Sequence, residues 1–172
     1  ILCDLPYGTT QNKWDTIIPF EPLWEQYKRV IKNNGAIVLT ASQPFTSALV
    51  MSNVKWFKYC WVWDKSQVTG FLNAKKQPLR QHEDICVFYQ SQCTYNPSMT
   101  KGKMQLKSTG GKSNNYGKYA YKPHYSEWYY PKTIISIPQQ REKGGHPTQK
   151  PVSLFEYLIK TYTNEGETVL DN

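Results

Sequence analysis

The sequence is short of acid, of closely spaced cysteines and of long apolar runs. Asp and Glu number 13 against 21 Lys and Arg, a formal net charge of +8 over 172 residues. From Ser91 to Ser126 there is no Asp or Glu at all. The four cysteines, Cys3, Cys60, Cys86 and Cys93, show no Cys-x-x-Cys spacing, which argues against a zinc site, and no metal is expected. Cys3, Cys60 and Cys86 lie in strand-like apolar runs, where buried reduced thiols are the default. No run is long enough for a membrane span or a secretory leader. A reducing cytoplasm is the expected compartment, with no membrane partner.

What is present is one domain's worth of chain with room for an insertion. Hydrophobic residues make up 39%, enough for a core. Aromatics reach 15%, with 13 Tyr and 6 Trp, and a basic, aromatic chain suits a nucleic-acid partner. Helical periodicity is expected after Pro22 (Leu23, Tyr27, Val30), after Pro44 (Phe45, Leu49) and after Pro151 (Val152, Phe155, Leu158, Ile159, Tyr162). Strands are expected at Ile1–Cys3, Ala36–Thr40, Tyr59–Trp63, Asp84–Tyr89 and Thr168–Asp171, with Asp64 to Glu83 as loop. The alternation predicts an α/β fold with a doubly wound, mostly parallel sheet.

The segment after Ser91 differs in composition. Lys101, Lys103, Lys107, Lys112, Lys118 and Lys122 alternate with Tyr116, Tyr119 and further tyrosines, and Gly102, Gly110, Gly111 and Gly117 break any long helix. A flexible surface loop would have this composition. Lysines for phosphates and tyrosines for stacking also make a DNA-facing insert, the reading favoured here.

The first eight residues organise the rest. An apolar run meets Asp4, and Pro6 and Gly8 then force a turn, so Asp4 and Tyr7 are presented at the carboxyl edge of a sheet. Asp4-Leu5-Pro6-Tyr7 resembles the (Asp/Asn/Ser)-Pro-Pro-(Tyr/Phe) catalytic motif of DNA methyltransferases that modify exocyclic amines, with Leu5 replacing the first proline. His146-Pro147-Thr148-Gln149-Lys150-Pro151, followed by a helix and Val169-Leu170-Asp171, resembles the cofactor-side motif of the same family. The order is that of the beta-type, permuted members: catalytic motif, target-recognition region, cofactor helix, cofactor strand.

The resemblance implies a Rossmann-like methyltransferase fold. It implies a catalytic half at 1–90, a target-recognition insert at 91–137, and the cofactor-side helix and strand start at 138–172. Asp4, Leu5, Pro6 and Tyr7 would be catalytic. Asp4 and the Leu5 carbonyl would hold the two N–H groups of the target amine, and Tyr7 would face a base swung out of the duplex. His146, Thr148, Gln149, Lys150, Pro151 and Asp171 would lie toward S-adenosylmethionine, with Lys150 paired to its carboxylate.

Implied partners are double-stranded DNA with a flipped base and, for some relatives, a second copy in a homodimer. The implied setting is restriction-modification in a bacterial or phage-infected cell. Asp at position 4 favours the N6 amine of adenine, since N4-cytosine members more often carry Ser. N4-cytosine methylation and a non-catalytic DNA-binding remnant are the alternatives. The family's glycine motif after Asp171 does not follow Asn172. Both ends look like cuts through a larger protein, and a fragment is expected to be inactive alone.

Overall fold

The computed structural model describes residues 1–107, 111–113, 115, 117–119, 123–139 and 148–172. It divides into a core unit of residues 1–96 and 133–172 and a second unit of residues 97–132. The second unit lies within the expected 91–137 insert, and residues 91–96 and 133–137 go with the core.

The core is a five-stranded sheet. Its strands are β1 (Leu2–Cys3), β2 (Ile37–Ala41), β3 (Phe57–Thr69), β4 (Arg80–Phe88) and, after the second unit, β9 (Ile134–Ser136), in the order β1-β2-β4-β3-β9. Helices α1 (Phe20–Val30), α2 (Phe45–Ser52) and α3 (Val152–Tyr162) cover it. β2 is buried along its whole length because both faces of the sheet are covered. Its residues divide by the two-residue period of a strand. Ile37, Leu39 and Ala41 pack with Leu23, Trp24, Tyr27, Phe45 and Leu49 of α1 and α2. Val38 packs with Leu154, Leu158 and Tyr162 of α3 on the opposite face. Leu154 and Leu158 are almost wholly buried, each worth about 1.5–3 kcal/mol over leaving it in water.

The α/β architecture is as expected, but the sheet is more mixed. β1–β2 and β3–β9 pair parallel, whereas β2–β4 and β3–β4 pair antiparallel. The cause is the short connection from β3 to β4. A turn with Gly70 at φ +91° and one 3₁₀ turn, Phe71–Asn73, reverse the chain, too short for the crossover that a parallel pair needs. The segment read as loop from Asp64 to Glu83 is largely the outer part of this hairpin. Its polar side chains carry no apolar alternation, and a register shift between Asp64 and Thr69 disturbs the pattern further.

The strand expected at Thr168–Asp171 is not formed as a ladder. A single backbone bond, from Leu2 N–H to the Leu170 carbonyl at 2.9 Å, lays that segment along β1. Pro151 stands at the N-cap of α3, one place before the first helical residue.

In the second unit, β5 (Thr100–Lys107) and β8 (His124–Tyr129) form an antiparallel ribbon. The short strands β6 (Gly111–Ser113) and β7 (Gly117–Tyr119) form another. Among the described residues no helix is long and apolar enough to cross a membrane.

Candidate active site

Asp4 emerges directly from the carboxyl end of β1. β2, its parallel neighbour, brings Thr40 alongside, and the Thr40 hydroxyl donates to Asp4 Oδ1 at 2.6 Å. The turn through Pro6 carries Tyr7 back, and its hydroxyl donates to the same oxygen at 3.0 Å. Lys150 then grips the carboxylate from outside, with Nζ at 2.8 Å from Oδ1 and 2.9 Å from Oδ2. Oδ1 therefore accepts from Thr40 and Tyr7 and lies at ion-pair distance from Lys150. Among the described residues, Oδ2 is approached by Lys150.

A second carboxylate joins them. Glu83, on β4, accepts from Lys65 of β3 at 3.1 Å and lies 3.3 Å from Lys150 Nζ. The Tyr7 hydroxyl sits 3.3 Å from its Oε2. Two carboxylates and two ammonium groups thus neutralise one another in a largely buried cluster. Burial, then the charges of Asp4 and Glu83, push the Tyr7 phenol well above its ordinary range. It stays protonated and acts as a donor that ties the two carboxylates together. The Tyr7 ring stacks on Phe45 at 5.3 Å between centroids, and Lys150 Nζ lies 5.4 Å from its centre.

The loop after Tyr7 is organised by Asp15. Its carboxylate accepts the backbone N–H of Gly8 at 2.8 Å, Thr9 at 2.9 Å and Thr10 at 2.7 Å. Burial works to raise this carboxyl, but the Thr10 hydroxyl and the three backbone donors outweigh it and hold it below its ordinary value. Gly8 has φ +65°, and a Cβ there would meet Ile17 at 2.9 Å, so glycine fits this tight turn as other residues do not.

These groups line a cavity of about 520 Å³, within the usual range for a small-molecule site. Asp4, Leu5, Pro6 and Tyr7 form one side and Thr148, Gln149 and Lys150 another, with Trp14 also on the wall. The Gln149 carbonyl is held by the Gln139 amide at 2.7 Å. The two motifs, about 140 residues apart in sequence, thus converge on one space. Pro151 is buried at the head of α3. Asp171 lies outside the cavity, exposed beside β1, where its neighbour Asn172 accepts from Cys3 and Tyr27. His146 lies outside the described residues.

Of the lysines proposed for DNA, Lys101, Lys103 and Lys107 are on β5. Lys101 pairs with Glu127 at 3.1 Å, and Lys107 Nζ lies 3.6 Å over the Tyr129 ring. The Lys103 carbonyl accepts the Tyr129 hydroxyl. Lys112 is on β6, and Lys118 and Tyr119 are on β7. Tyr116 and Lys122 lie outside the described residues.

Sequence reasoning missed Thr40, Lys65, Glu83 and Asp15. The first three sit where strands meet, and only strand pairing brings Thr40 against Asp4 and sets Glu83, with Lys65, against Tyr7 and Lys150. Asp15 carried a local signal: an acid shortly after Gly8-Thr9-Thr10 has three successive backbone donors within reach.

Comparison with known proteins decides the family. A family model described as DNA methylase, for N6 and N4 methyltransferases, matches residues 1–172. The chain belongs to this family. It is 24% identical over 179 residues to the type II methyltransferase M.HpaI of Haemophilus parainfluenzae, covering 96% of this chain and 52% of that protein. It therefore spans about half the length of the curated relative it matches. Among solved structures, the complex of M1.HpyAVI with SAM is similar at a TM-score of 0.58, with 20% identity, over 99% of this chain and 69% of that one. The PvuII DNA methyltransferase, named as cytosine-N4-specific, is similar at 0.62, with 11% identity, over 99% and 66%. At these identities the structures show the shared, Rossmann-like methyltransferase fold.

Proposed function

We propose that this chain supplies the catalytic pocket and the target-recognition region of a DNA methyltransferase that uses S-adenosylmethionine and modifies the N6 amine of adenine. The observation that carries the reading is the convergence of Asp4-Leu5-Pro6-Tyr7 and Thr148-Gln149-Lys150 on one cavity. The residues fit the cofactor. Lys150 supplies an ammonium for its carboxylate, Thr148 and Gln149 supply polar groups, and Trp14 supplies a flat apolar wall. When bound, S-adenosylmethionine supplies an electrophilic methyl group on a positively charged sulfur.

The chain's own groups do the rest. An adenine amine is a poor nucleophile because its lone pair is delocalised into the ring. Asp4 and the Leu5 carbonyl accept its two N–H groups and turn the lone pair outward. As the nitrogen becomes cationic, the fixed Asp4 carboxylate stabilises it. Thr40 and Tyr7, both donating to Oδ1, fix the rotation of that carboxylate and leave Oδ2 toward the target. The β5–β8 ribbon carries lysines and the exposed rings of Tyr125 and Trp128, and a two-stranded ribbon is narrow enough to enter a major groove. We assign it the DNA contact.

The test is to express the complete gene in a host without DNA methylation and analyse the hydrolysed genomic DNA by mass spectrometry. N6-methyladenine is expected. N4-methylcytosine would replace this reading with the cytosine alternative. Unmodified DNA from cells holding folded protein would overturn both in favour of a non-catalytic DNA-binding role.

A further inference from the structure

The grip of Lys150 on Asp4 poses a chemical conflict. A target amine needs Asp4 Oδ2 as its acceptor, since Oδ1 is already taken by Thr40 and Tyr7. Lys150 Nζ stands 2.9 Å from Oδ2, at the distance the amine nitrogen would need. A second nitrogen becoming cationic cannot share that place with an ammonium, because like charges at van der Waals separation repel.

The lysine side chain is 8% exposed, so it cannot simply swing into water without cost. A buried ammonium leaves one carboxylate readily only for another anion. Glu83 already stands 3.3 Å from Lys150 Nζ while also carrying Lys65 at 3.1 Å, so it is no new anion that would draw the lysine off Asp4. The anion has to enter the cavity from outside.

We propose that Lys150 is a charge latch on the catalytic carboxylate. In the resting protein it covers the Asp4 oxygen that the target amine needs. It transfers to the carboxylate of S-adenosylmethionine when that enters, which uncovers Asp4 for the base. This rests on the cofactor reading given above. The consequence is coupling between the two substrates: cofactor first, flipped base second, each strengthening the other's binding. Release of Lys150 also leaves the cluster of Asp4, Glu83 and Lys65 with one net negative charge, suited to a nitrogen that becomes cationic. No bond is made or broken in this step; an ion pair is exchanged.

Calorimetric titration of S-adenosylmethionine into the intact gene product tests it through a double-mutant cycle of Asp4→Asn, Lys150→Met and both together. Asp4→Asn removes the nearer of the lysine's two resting carboxylates, so cofactor affinity should rise about fivefold or more, the lower end of ordinary coupling between sites. In the Lys150→Met background the same Asp4→Asn change should have almost no effect, since the coupling runs through the lysine. Asp4→Ser gives the same arm should the Asn variant fail to fold. No change in affinity on losing Asp4, or the same change in both backgrounds, overturns the latch while leaving the cofactor reading intact. Failure of the unaltered protein to bind S-adenosylmethionine overturns the cofactor reading itself.

Discussion

The candidate pocket and the β5–β8 ribbon use the same residue types to opposite ends. In the pocket, Lys65 and Lys150 are about nine-tenths buried, and each lies against a carboxylate. On the ribbon, Lys101 is 64% exposed even while pairing with Glu127. A buried ion pair is unforgiving: loss of either partner strands a charge in a poor solvent. An exposed pair contributes little and is screened by salt. On the proposed reading, the pocket's charges are fixed for one nitrogen at one place, whereas the ribbon's charges are kept available to a polyanion whose position varies. The same contrast separates Tyr7, stacked on Phe45 and bonded to two carboxylates, from Tyr125 and Trp128, which stay exposed.

The contrast can be broken on each side. The largest effect belongs to Asp4→Ala in the intact protein. Methyl transfer at saturating DNA should fall by roughly 100-fold or more, the scale for losing one preorganised stabilising group. DNA affinity, measured by fluorescence anisotropy, should change little. Turnover close to that of the unaltered enzyme would mean Asp4 is only a strand-end acid.

Next comes the joint replacement of Lys101, Lys103 and Lys107 by Ala. The dependence of log affinity on log salt should flatten by roughly 2 to 3, a near-unit step for each phosphate that is no longer neutralised. The single-turnover rate on bound DNA should hold. A salt slope identical to that of the unaltered protein would remove the ribbon from the interface.

The smallest effect is on the loop that frames the pocket. Asp15→Asn removes the charge that three backbone donors share, and should cost about 2 kcal/mol in chemical unfolding. The pH dependence fixes the sign. The folded carboxyl lies below its ordinary value of 3.8. Its stabilisation is therefore complete above pH 3.8 and fades as pH falls through the lowered value. The gap between the two proteins should be constant near neutrality and close below pH 3.8. A gap that widens on acidification would contradict the assignment.

How much of this was legible in the sequence depended on how local the signal was. The stripe Val152, Phe155, Leu158, Ile159, Tyr162 named α3, although Val152 turns out exposed and Leu154, outside that stripe, is buried, and the apolar run at 36–40 named β2, because periodicity is carried by neighbours in the chain. Asp4 and Lys150 could be named from their motifs, and the structure adds that they touch. The outer half of the β3–β4 hairpin was read as loop because Lys65-Ser66-Gln67 and Gln81-His82-Glu83 contain no apolar residue. Glu83 was lost with it. Pairing across a sheet is non-local, and nothing in the order of residues sets Glu83 against Tyr7 and Lys150. The bond from Leu2 to Leu170 shows the converse. The apolar run was visible, yet it makes a single backbone bond to β1 rather than a ladder.

The central claim is that Asp4 is a carboxylate held ready for a nitrogen, covered at rest by Lys150 and opened by the cofactor. A crystal structure of the intact protein with S-adenosylhomocysteine, which keeps the cofactor's carboxylate, tests it most directly. The account expects Lys150 Nζ on that carboxylate and beyond about 4 Å from Asp4 Oδ2, outside ion-pair reach, with Thr40 and Tyr7 still donating to Oδ1. A lysine that remains on both Asp4 oxygens with the ligand fully bound would contradict it.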